Sequence, residues 1–310
     1  MLEQILDTNC EREAMSAAPE TNPVKPFGKR CLETIANQGP LCVGIDPHPE
    51  LLDAWGLPRS GAGVWDFAMR VIDALGDLCG FFKPQSALFE EYGTSGISAL
   101  TATLRAIHDV GAISIADVKR GDIGSTMSAY ARAYLSEGPL EADAMTLSPF
   151  LGFESLRPAL DLAKQNGKGT FVLALTSNPE SAPVQSAMIM NAGGQPVSSL
   201  AADIMQRVGA ENHVAAQAGH WGHVGMVVGA TVGERMRGLE PLLDAANAPL
   251  LVPGFGAQGG NTESIATVFG KATERIIVSS SRGILRCGPE PSALQAAFKE
   301  NLDSLKSLIS

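Results

Sequence analysis

The sequence predicts one domain built as a closed (β/α)₈ TIM barrel, an α/β fold in which eight parallel strands alternate with helices. From residue 41 onward, eight short apolar runs recur, and each leads through a polar or glycine-rich turn into a stretch with helical spacing. The runs are continuously apolar, as strands buried on both faces are. The first run leads into GIDPHPE. Because a doubly wound fold would need GxGxxG at that point, the barrel is favoured.

The predicted strands and helices follow one another in order along the chain. The strands are predicted at 41–47, 81–89, 112–119, 143–150, 170–177, 224–231, 250–256 and 275–283. Between them, apolar residues three and four apart form stripes that would pack helices against the sheet. These stripes are Val64, Phe67, Val71, Leu75 and Leu78; Ile97, Leu100, Leu104 and Ile107; Val197, Leu200, Ile204 and Val208; Val232, Met236, Leu239 and Leu243; and Leu294, Phe298, Leu302, Leu305 and Leu308. An earlier stripe of Phe27, Cys31 and Ile35 is predicted to cover the barrel floor.

Composition and charge exclude several classes of protein. The 310 residues are 45% apolar and 18% charged, which suits a folded globular domain. The net charge of −10 gives no broad basic surface for nucleic acid or an anionic membrane. No apolar run approaches the roughly 20 residues of a membrane-spanning helix. Five widely spaced cysteines without a CxxC pair indicate neither disulfides nor structural zinc, so we expect a reducing cytoplasm.

The N-terminal stretch, residues 1–24, is predicted to be a poorly ordered extension that precedes the barrel domain of residues 25–310. It carries acidic residues where a secretory signal would carry lysines. Its apolar stretch is also too short for the hydrophobic part of such a signal. We therefore expect the chemistry to lie entirely within residues 25–310.

Charged residues stand at the ends of the first three predicted strands, where a barrel builds its active site. Strand one ends with Asp46, strand two carries Lys83, and strand three carries Asp117 and Lys119, with Asp122 just beyond. Residues i and i+2 of a strand face the same side, so Asp117 and Lys119 both point to the barrel mouth. Opposite charges raise a lysine's pKa, which favours a proton donor over a Schiff-base nucleophile. The alternative is a structural ion pair at the rim.

The ends of strands seven and eight suggest a phosphate site. The glycine-rich stretch 254–260 contains Gln258, and Arg282 and Gly283 follow strand eight. Barrels commonly bind phosphate with these two loops, because glycines let backbone N–H groups approach the anion. Arg282 would add a bidentate cation and Gln258 an amide donor. The alternative is that both loops are ordinary turns.

Six motifs at these strand ends carry a resemblance to a known family. In chain order they are GIDPHPELL, FFKPQSALFEEYG, ADVKRGDIGST, LTSNPES, VPGFGAQGG and SSSRG. Together they resemble the orotidine 5′-phosphate decarboxylase family in its longer bacterial form. The resemblance implies decarboxylation of orotidine 5′-monophosphate (OMP) to uridine 5′-monophosphate (UMP), the last step of UMP synthesis, without a cofactor or metal. The chain departs from compact members at 178–223, which is longer.

The resemblance also implies roles for individual residues. Lys83 and Asp117 would begin an alternating charged array, Lys119 would donate the proton, and Asp122 would reach into the site of a partner subunit. The chain is therefore expected to form a homodimer. Two further residues would cross the interface with Asp122, namely Ile123 and Thr126.

The remaining implied residues would bind the substrate. Asp46, together with Lys83, would bind the ribose hydroxyls, and Ser177 would read the pyrimidine edge. Gln258 and Arg282 would bind the phosphate, which agrees with their position at the two loops described above.

Two alternatives remain from the sequence alone. One is a Mg²⁺-dependent sugar-phosphate aldolase or decarboxylase on a similar barrel, which would need a further acidic ligand. Glu90 and Glu91 are candidates, although we expect them to start the next helix. The other is a non-catalytic nucleotide-binding barrel, which should lack a member of the charged array. The cluster of His213, His220 and His223 is interpreted as surface histidines and not as a metal site.

Overall fold

The chain folds as a closed barrel of eight parallel strands, in a computed structural model that describes residues 25–256 and 259–309. The predicted N-terminal extension lies outside the described residues. The strands are β1 Leu41–Ile45, β2 Phe81–Pro84, β3 Ile113–Arg120, β4 Ala144–Leu147, β5 Gly169–Leu175, β6 Met188–Met190, β7 Pro196–Ser199, β8 Val224–Val228, β9 Leu250–Val252 and β10 Ile276–Ser280. Around the barrel they run β1-β10-β9-β8-β5-β4-β3-β2, and β6 and β7 pair separately as an antiparallel hairpin. The predicted fold class is confirmed.

Each predicted barrel strand is present, and every strand except β3 is shorter than its apolar run. These seven runs included residues after the strand that turn into the following loop, such as Asp46 after β1 and Ser177 after β5. The run 112–119 predicted β3 to within one residue at each end. Parallel strands end where their ladder hydrogen bonds end, and sequence alone does not mark that point. The hairpin of β6 and β7 falls in the long stretch 178–223 and has no counterpart among the predicted strands.

Helices surround the barrel, and most of the predicted stripes lie on them. The helices are α1 Phe27–Gln38, α2 Pro49–Ala54, α3 Gly61–Leu75, α4 Ala87–Glu90, α5 Gly93–Asp109, α6 Gly124–Leu135, α7 Arg157–Gln165, α8 Ala182–Gln185, α9 Leu200–Gln217, α10 Glu240–Ala245, α11 Thr262–Phe269, α12 Arg282–Leu285 and α13 Pro291–Ile309. None of the helices in the described ranges has both the length and the apolar character that crossing a membrane requires.

Three of the predicted stripes are wrong in part. In the first, Leu78 lies in the turn after α3. Val197 lies in β7 and is exposed, so the stripe that begins with it becomes helical only from Leu200. The stripe from Val232 to Leu243 is broken into a 3₁₀ turn and the short helix α10. The break follows from Gly238, whose φ of +82° leaves the helical region.

Helix α1 closes the amino-terminal end of the barrel, as its stripe predicted. Phe27 and Cys31 are fully buried and join an interior cluster with Phe171 of β5 and Trp221. The rings of Phe27 and Phe171 meet edge to face with centroids 6.0 Å apart. Gly169 makes this fit possible, because a Cβ there would lie 2.3 Å from the Phe27 ring. Burial of each phenylalanine contributes about 1.5–3 kcal/mol, so this end of the barrel is a source of stability.

Candidate active site

A pocket of about 490 Å³ opens at the carboxyl-terminal ends of the barrel strands. Polar residues just after β1 and on β2, β3 and β4 form one wall, and the loops after β5, β9 and β10 contribute to the other. Six of the residues predicted from the sequence line it, namely Asp46, Lys83, Asp117, Lys119, Ser177 and Arg282. The structure therefore brings most of the predicted site to one place.

Asp117 lies between two lysines at the centre of the charged wall. The Nζ of Lys83 donates to Asp117 Oδ2 at 2.9 Å, and the Nζ of Lys119 donates to Asp117 Oδ1 at 2.5 Å. Lys83 is buried, whereas the Lys119 side chain is 46% exposed at the pocket. The expectation that Asp117 and Lys119 face the same side is confirmed. The cationic end of Lys119 is thus held at one point by Asp117 while it remains open to a ligand.

The backbone at Lys119 departs from a regular strand. Its φ is +44°, which a non-glycine residue rarely adopts, and the register of β3 against β4 shifts between Ala116 and Arg120. Such irregularities re-aim side chains at the ends of strands and are common beside active sites. Here the irregular residue is the one whose ammonium binds Asp117.

Burial and neighbouring charges shift the pKa values of Asp117 and Lys83 in opposite directions. Burial alone would raise the pKa of Asp117, but Lys83 and Lys119 outweigh it and hold that pKa well below its usual range. Burial alone would likewise lower the pKa of Lys83, but Asp117 and Asp46 outweigh it and raise that pKa above its usual value. Asp117 and Lys83 are therefore both ionised at neutral pH.

Thr146 of β4 supports the charged wall and was not identified from the sequence. Its Oγ1 accepts hydrogen bonds from the backbone N–H of Val118 at 3.0 Å and of Lys119 at 2.8 Å, and it donates to Asp117 Oδ1 at 3.0 Å. The threonine thus ties the irregular backbone of β3 to the carboxylate. In the sequence, Thr146 is only a threonine within the apolar run of β4, and many threonines with a purely structural role occupy such positions.

Asp46, just after β1, lines the pocket, and one of its carboxylate oxygens has no partner among the described residues. Its Oδ2 accepts from the hydroxyl of Ser281 at 2.6 Å. Its Oδ1 is buried and has no hydrogen-bond partner within the described part of the chain. A buried acceptor without a partner is costly, and a ligand hydroxyl would supply the missing donor. This observation suits the hydroxyl-binding role that the resemblance implied.

The opposite wall contains Ser177, Gly254, Phe255 and Arg282. The Arg282 guanidinium makes no ion pair with any residue described in the structure, and Arg282 lines the pocket together with Gly254. An unpaired guanidinium next to a glycine-rich loop is suited to bind a phosphate. Gln258, the other predicted phosphate ligand, lies outside the described residues.

The three residues expected at a subunit interface do not line the pocket of their own chain. Asp122 accepts a hydrogen bond from the Ile123 N–H at 2.8 Å, and the Ile123 side chain is 62% exposed. Thr126 is exposed on the first turn of α6. In one chain, these side chains lie on the outer surface beside the charged wall.

The expectation that Glu90 and Glu91 start a helix is wrong. Glu90 is the last residue of α4, and α5 begins only at Gly93. The Glu90 carboxylate is paired with Arg120 at 2.7 Å and accepts from the Ser86 hydroxyl, so neighbouring groups already occupy it.

The histidine cluster is also only partly as expected. His213 is exposed on α9, but His223 is half-buried, and burial lowers its pKa. Across the described ranges, no three His, Cys, Asp or Glu side chains are grouped as metal ligands would be.

Comparison with known proteins places the chain in a family. Residues 39–297 match the model of the orotidine 5′-phosphate decarboxylase / HUMPS family. The orotidine 5′-phosphate decarboxylase of Salinispora arenicola is 46% identical over 275 residues, which are 88% of this chain and 95% of that protein. The protein of the same name from Streptomyces coelicolor is 45% identical with the same coverage.

Solved structures agree with this match. A candidate orotidine 5′-phosphate decarboxylase from Streptomyces avermitilis is 44% identical, covers 92% of this chain and 96% of its own, and superimposes with a TM-score of 0.82. The OMP decarboxylase of Leishmania donovani is 28% identical, covers 92% of this chain and 98% of its own, and has a TM-score of 0.71. The chain therefore belongs to the orotidine 5′-phosphate decarboxylase / HUMPS family.

Proposed function

We propose that this chain decarboxylates OMP to UMP, the last step of UMP synthesis, and that residues 25–310 form the catalytic domain. The observation that carries the proposal is the array in which Asp117 lies between the ammonium groups of Lys83 and Lys119 at the pocket. Family membership and the names of the closely related proteins support the same reaction.

The reaction needs a positively charged protein group beside one carbon atom of the substrate, because a negative charge develops on that carbon. When the bond between C6 and the carboxylate breaks, CO₂ leaves and the electron pair stays on C6. This pair lies in the plane of the pyrimidine ring, where π delocalisation does not reach it. The Lys119 ammonium stabilises the charge by a fixed electrostatic interaction and then transfers a proton from Nζ to C6. The lysine side chain thus supplies both the stabilisation and the proton.

Asp117 has two roles in this proposal. Its low pKa keeps it anionic, so it holds Lys119 in place and keeps a negative charge beside the substrate carboxylate. Repulsion between these two anions is relieved when CO₂ leaves, which lowers the barrier relative to the bound substrate. Lys83 neutralises the other side of Asp117, so the carboxylate remains ionised although it is buried.

The rest of the pocket orients the nucleotide. The free Oδ1 of Asp46, with Lys83, binds the ribose hydroxyls, and Ser177 contacts the pyrimidine edge. Arg282 and Gln258 bind the phosphate. The phosphate is remote from C6, and its binding energy contributes to the barrier crossing by holding the ring against the charged array.

A homodimer completes the site in this proposal, with Asp122, Ile123 and Thr126 entering the pocket of the partner. Asp122 lies outside its own pocket, as this arrangement requires. The neighbouring loop adds exposed apolar side chains, Phe150 at 79% and Leu151 at 54%, and the two loops are joined by a hydrogen bond from the Ser148 N–H to the Arg120 carbonyl. Exposed apolar side chains on a loop joined to the segment that carries Asp122 suit contact with a second copy of the chain.

The net charge of −10 argues against nucleic acid as a partner. The cytoplasm is the proposed compartment, and the thiols of Cys31, Cys42, Cys79 and Cys287, which are free in the described structure, suit its reducing conditions.

An absorbance assay of OMP turnover by the purified protein in excess EDTA tests the proposed function. We expect full activity, because Lys119 supplies the stabilisation. Activity that EDTA abolishes and Mg²⁺ restores would favour the metal-dependent sugar-phosphate enzyme. Binding of UMP without any turnover of OMP would instead favour the non-catalytic nucleotide-binding barrel.

A further inference from the structure

Arg235 lies in the 3₁₀ turn Gly233–Met236, outside the motifs that identified the site. Its Nη1 donates to the carbonyl of Thr176 at 2.8 Å and to the hydroxyl of Ser181 at 3.0 Å, and its Nη2 donates to Gln185 Oε1 at 2.9 Å. One guanidinium therefore holds three points of the loop that follows β5. The turn that carries it follows a different strand, β8.

The same acceptor of Gln185 also fixes the backbone beside Ser177. Gln185 Oε1 accepts from the Thr176 N–H at 2.8 Å, and Gln185 Nε2 donates to Thr176 Oγ1 at 2.9 Å. With Arg235 on the carbonyl, the N–H, the carbonyl and the hydroxyl of Thr176 are all held by two side chains. Thr176 precedes Ser177, so this network fixes the peptide unit from which Ser177 extends.

Ser177 is left open to a ligand by this arrangement. Its side chain makes no hydrogen bond to any described residue, and it lines the pocket. On its other side, Gly229 approaches so closely that a Cβ there would lie 3.1 Å from Ser177 N and Cβ. The backbone around Ser177 is therefore fixed from two directions while its hydroxyl is free.

Stability alone does not explain a cation at position 235. No carboxylate in the described ranges forms an ion pair with Arg235, and its Nε is buried without a hydrogen-bond partner. Burial lowers its pKa, with no anion to offset that effect. A guanidinium held only by neutral acceptors costs desolvation free energy, but its planar fork can reach several acceptors at once.

We infer that Arg235 is a positioning residue for the proposed decarboxylation, which holds Ser177 at the pyrimidine side of the pocket through Thr176 and Gln185. The inference rests on the proposed function. By holding Ser177, Arg235 would align the substrate ring against Lys119, which lies on the opposite wall. Displacement of a positioned group by about 1 Å costs up to roughly 100-fold in rate.

The test measures kcat and KM for OMP in R235A, R235K and Q185A. We expect kcat/KM to fall about 10- to 100-fold in R235A and Q185A. R235K should fall less, because lysine keeps the charge and loses the fork. R237A is the matched control, since Arg237 lies two residues further on, is exposed and pairs only with Glu234 among the described residues. It should stay within about twofold of the wild type.

A double-mutant cycle separates positioning from a general structural role. If Arg235 acts through Ser177, adding R235A to S177A should lower kcat/KM by less than about threefold further. A full additional loss in the S177A background would overturn the inference, as would wild-type kinetics in R235A and Q185A.

If R235A does not fold, R235K and Q185A are combined with S177A instead. A wild-type protein that does not turn over OMP overturns the proposed function and this inference with it, whereas an active wild type with unaffected variants overturns the inference alone.

Discussion

The two ends of the barrel differ in chemistry although the same strands build both. On β2, Phe81 belongs to the interior apolar cluster and Lys83, two residues further on, lies in the charged wall. On β3, Ile115 and Asp117 repeat this change. Two residues of a strand rise about 6.6 Å. On each of these strands, two residues thus separate the end that stabilises the fold from the end proposed to carry the reaction.

The two ends therefore contribute with opposite sign to the free energy of folding. At the amino-terminal end, α1 covers the interior with fully buried side chains such as Phe27. At the carboxyl-terminal end, Lys83 and Asp117 are buried as ions, and Asp46 Oδ1 is buried without a partner in the described structure. Buried ions and orphan acceptors are costly, so the first end must offset the second.

The largest expected effect is at the charged end. Lys119→Ala should lower kcat for OMP by about 10⁴-fold or more, because it removes both the proton donor and the fixed charge. Its thermal unfolding should stay close to that of the wild type, since the side chain is half exposed. Lys29→Ala, an exposed lysine at the opposite end, is the control and should keep full activity. A Lys119→Ala protein with wild-type kcat would contradict the mechanism.

A mixing experiment tests whether the charged end belongs to one chain or to two. Asp122→Asn and Lys119→Ala chains should each be nearly inactive alone. After subunit exchange in an equal mixture, about half of the dimers are heterodimers with one intact site each, so about a quarter of all sites should recover. Activity is measured before and after exchange. An absence of recovery in verified heterodimers would contradict shared sites.

At the amino-terminal end, Phe27→Ala should affect stability alone. Removal of this fully buried ring should lower the free energy of unfolding by about 3–5 kcal/mol, as measured by urea denaturation. The kcat of the folded fraction should be unchanged. Leu32→Ala, on the exposed face of the same helix, is the control and should cost much less. A large loss of kcat in Phe27→Ala would show that the two ends are not separable.

Thr146→Val tests the hydrogen bonds that Thr146 makes to Asp117 and to the backbone of β3. The change keeps the shape of the side chain and removes the hydroxyl that binds Asp117 and the backbone of Lys119. We expect kcat to fall about tenfold, and unfolding to become easier by about 1–3 kcal/mol because two N–H groups lose their acceptor. Thr103→Val, a buried threonine that bonds only within its own helix among described residues, should change stability and leave kcat unaltered.

The smallest effect should be that of pH near neutrality. The depressed pKa of Asp117 gives stability that is present above its unfolded value of about 4 and is lost as pH falls through the folded value. The raised pKa of Lys83 gives stability that is present below about 10.4 and is lost as pH rises through its folded value. Neither shift therefore changes the stability of the wild type between about pH 5 and 9. In urea denaturation, the free energy of unfolding by which wild type exceeds Asp117→Asn should decline as the pH falls below about 4. A difference that stays constant below that pH would contradict the shift of Asp117.

Much of the fold and the site could be predicted from the sequence. Apolar runs at regular spacing predicted the eight barrel strands, and the positions of Asp46, Lys83 and Asp117 at strand ends predicted where they would meet. What the runs could not give was the point at which each strand stops, because that depends on hydrogen bonds to neighbouring strands. The hairpin of β6 and β7 was missed for a similar reason, since its apolar residues are exposed and resemble a helical stripe.

The supporting residues could not be predicted for a different reason. Thr146 and Arg235 act through hydrogen bonds to parts of the chain that are distant in sequence. Neither residue type nor spacing distinguishes such a threonine or arginine from the others in the chain. Their roles depend on distances of about 3 Å that only the folded chain defines.

The sequence by itself determined which chemical groups this protein has and the order in which parallel strands bring them to one end of a barrel, because burial and the two-residue period of a strand are local properties. Only the tertiary structure decided how those groups meet: that Asp117 bridges Lys83 and Lys119, that one Asp46 oxygen has no partner among the described residues, and that Asp122 lies outside its own pocket. These outcomes depend on contacts between strands and loops that lie far apart along the chain.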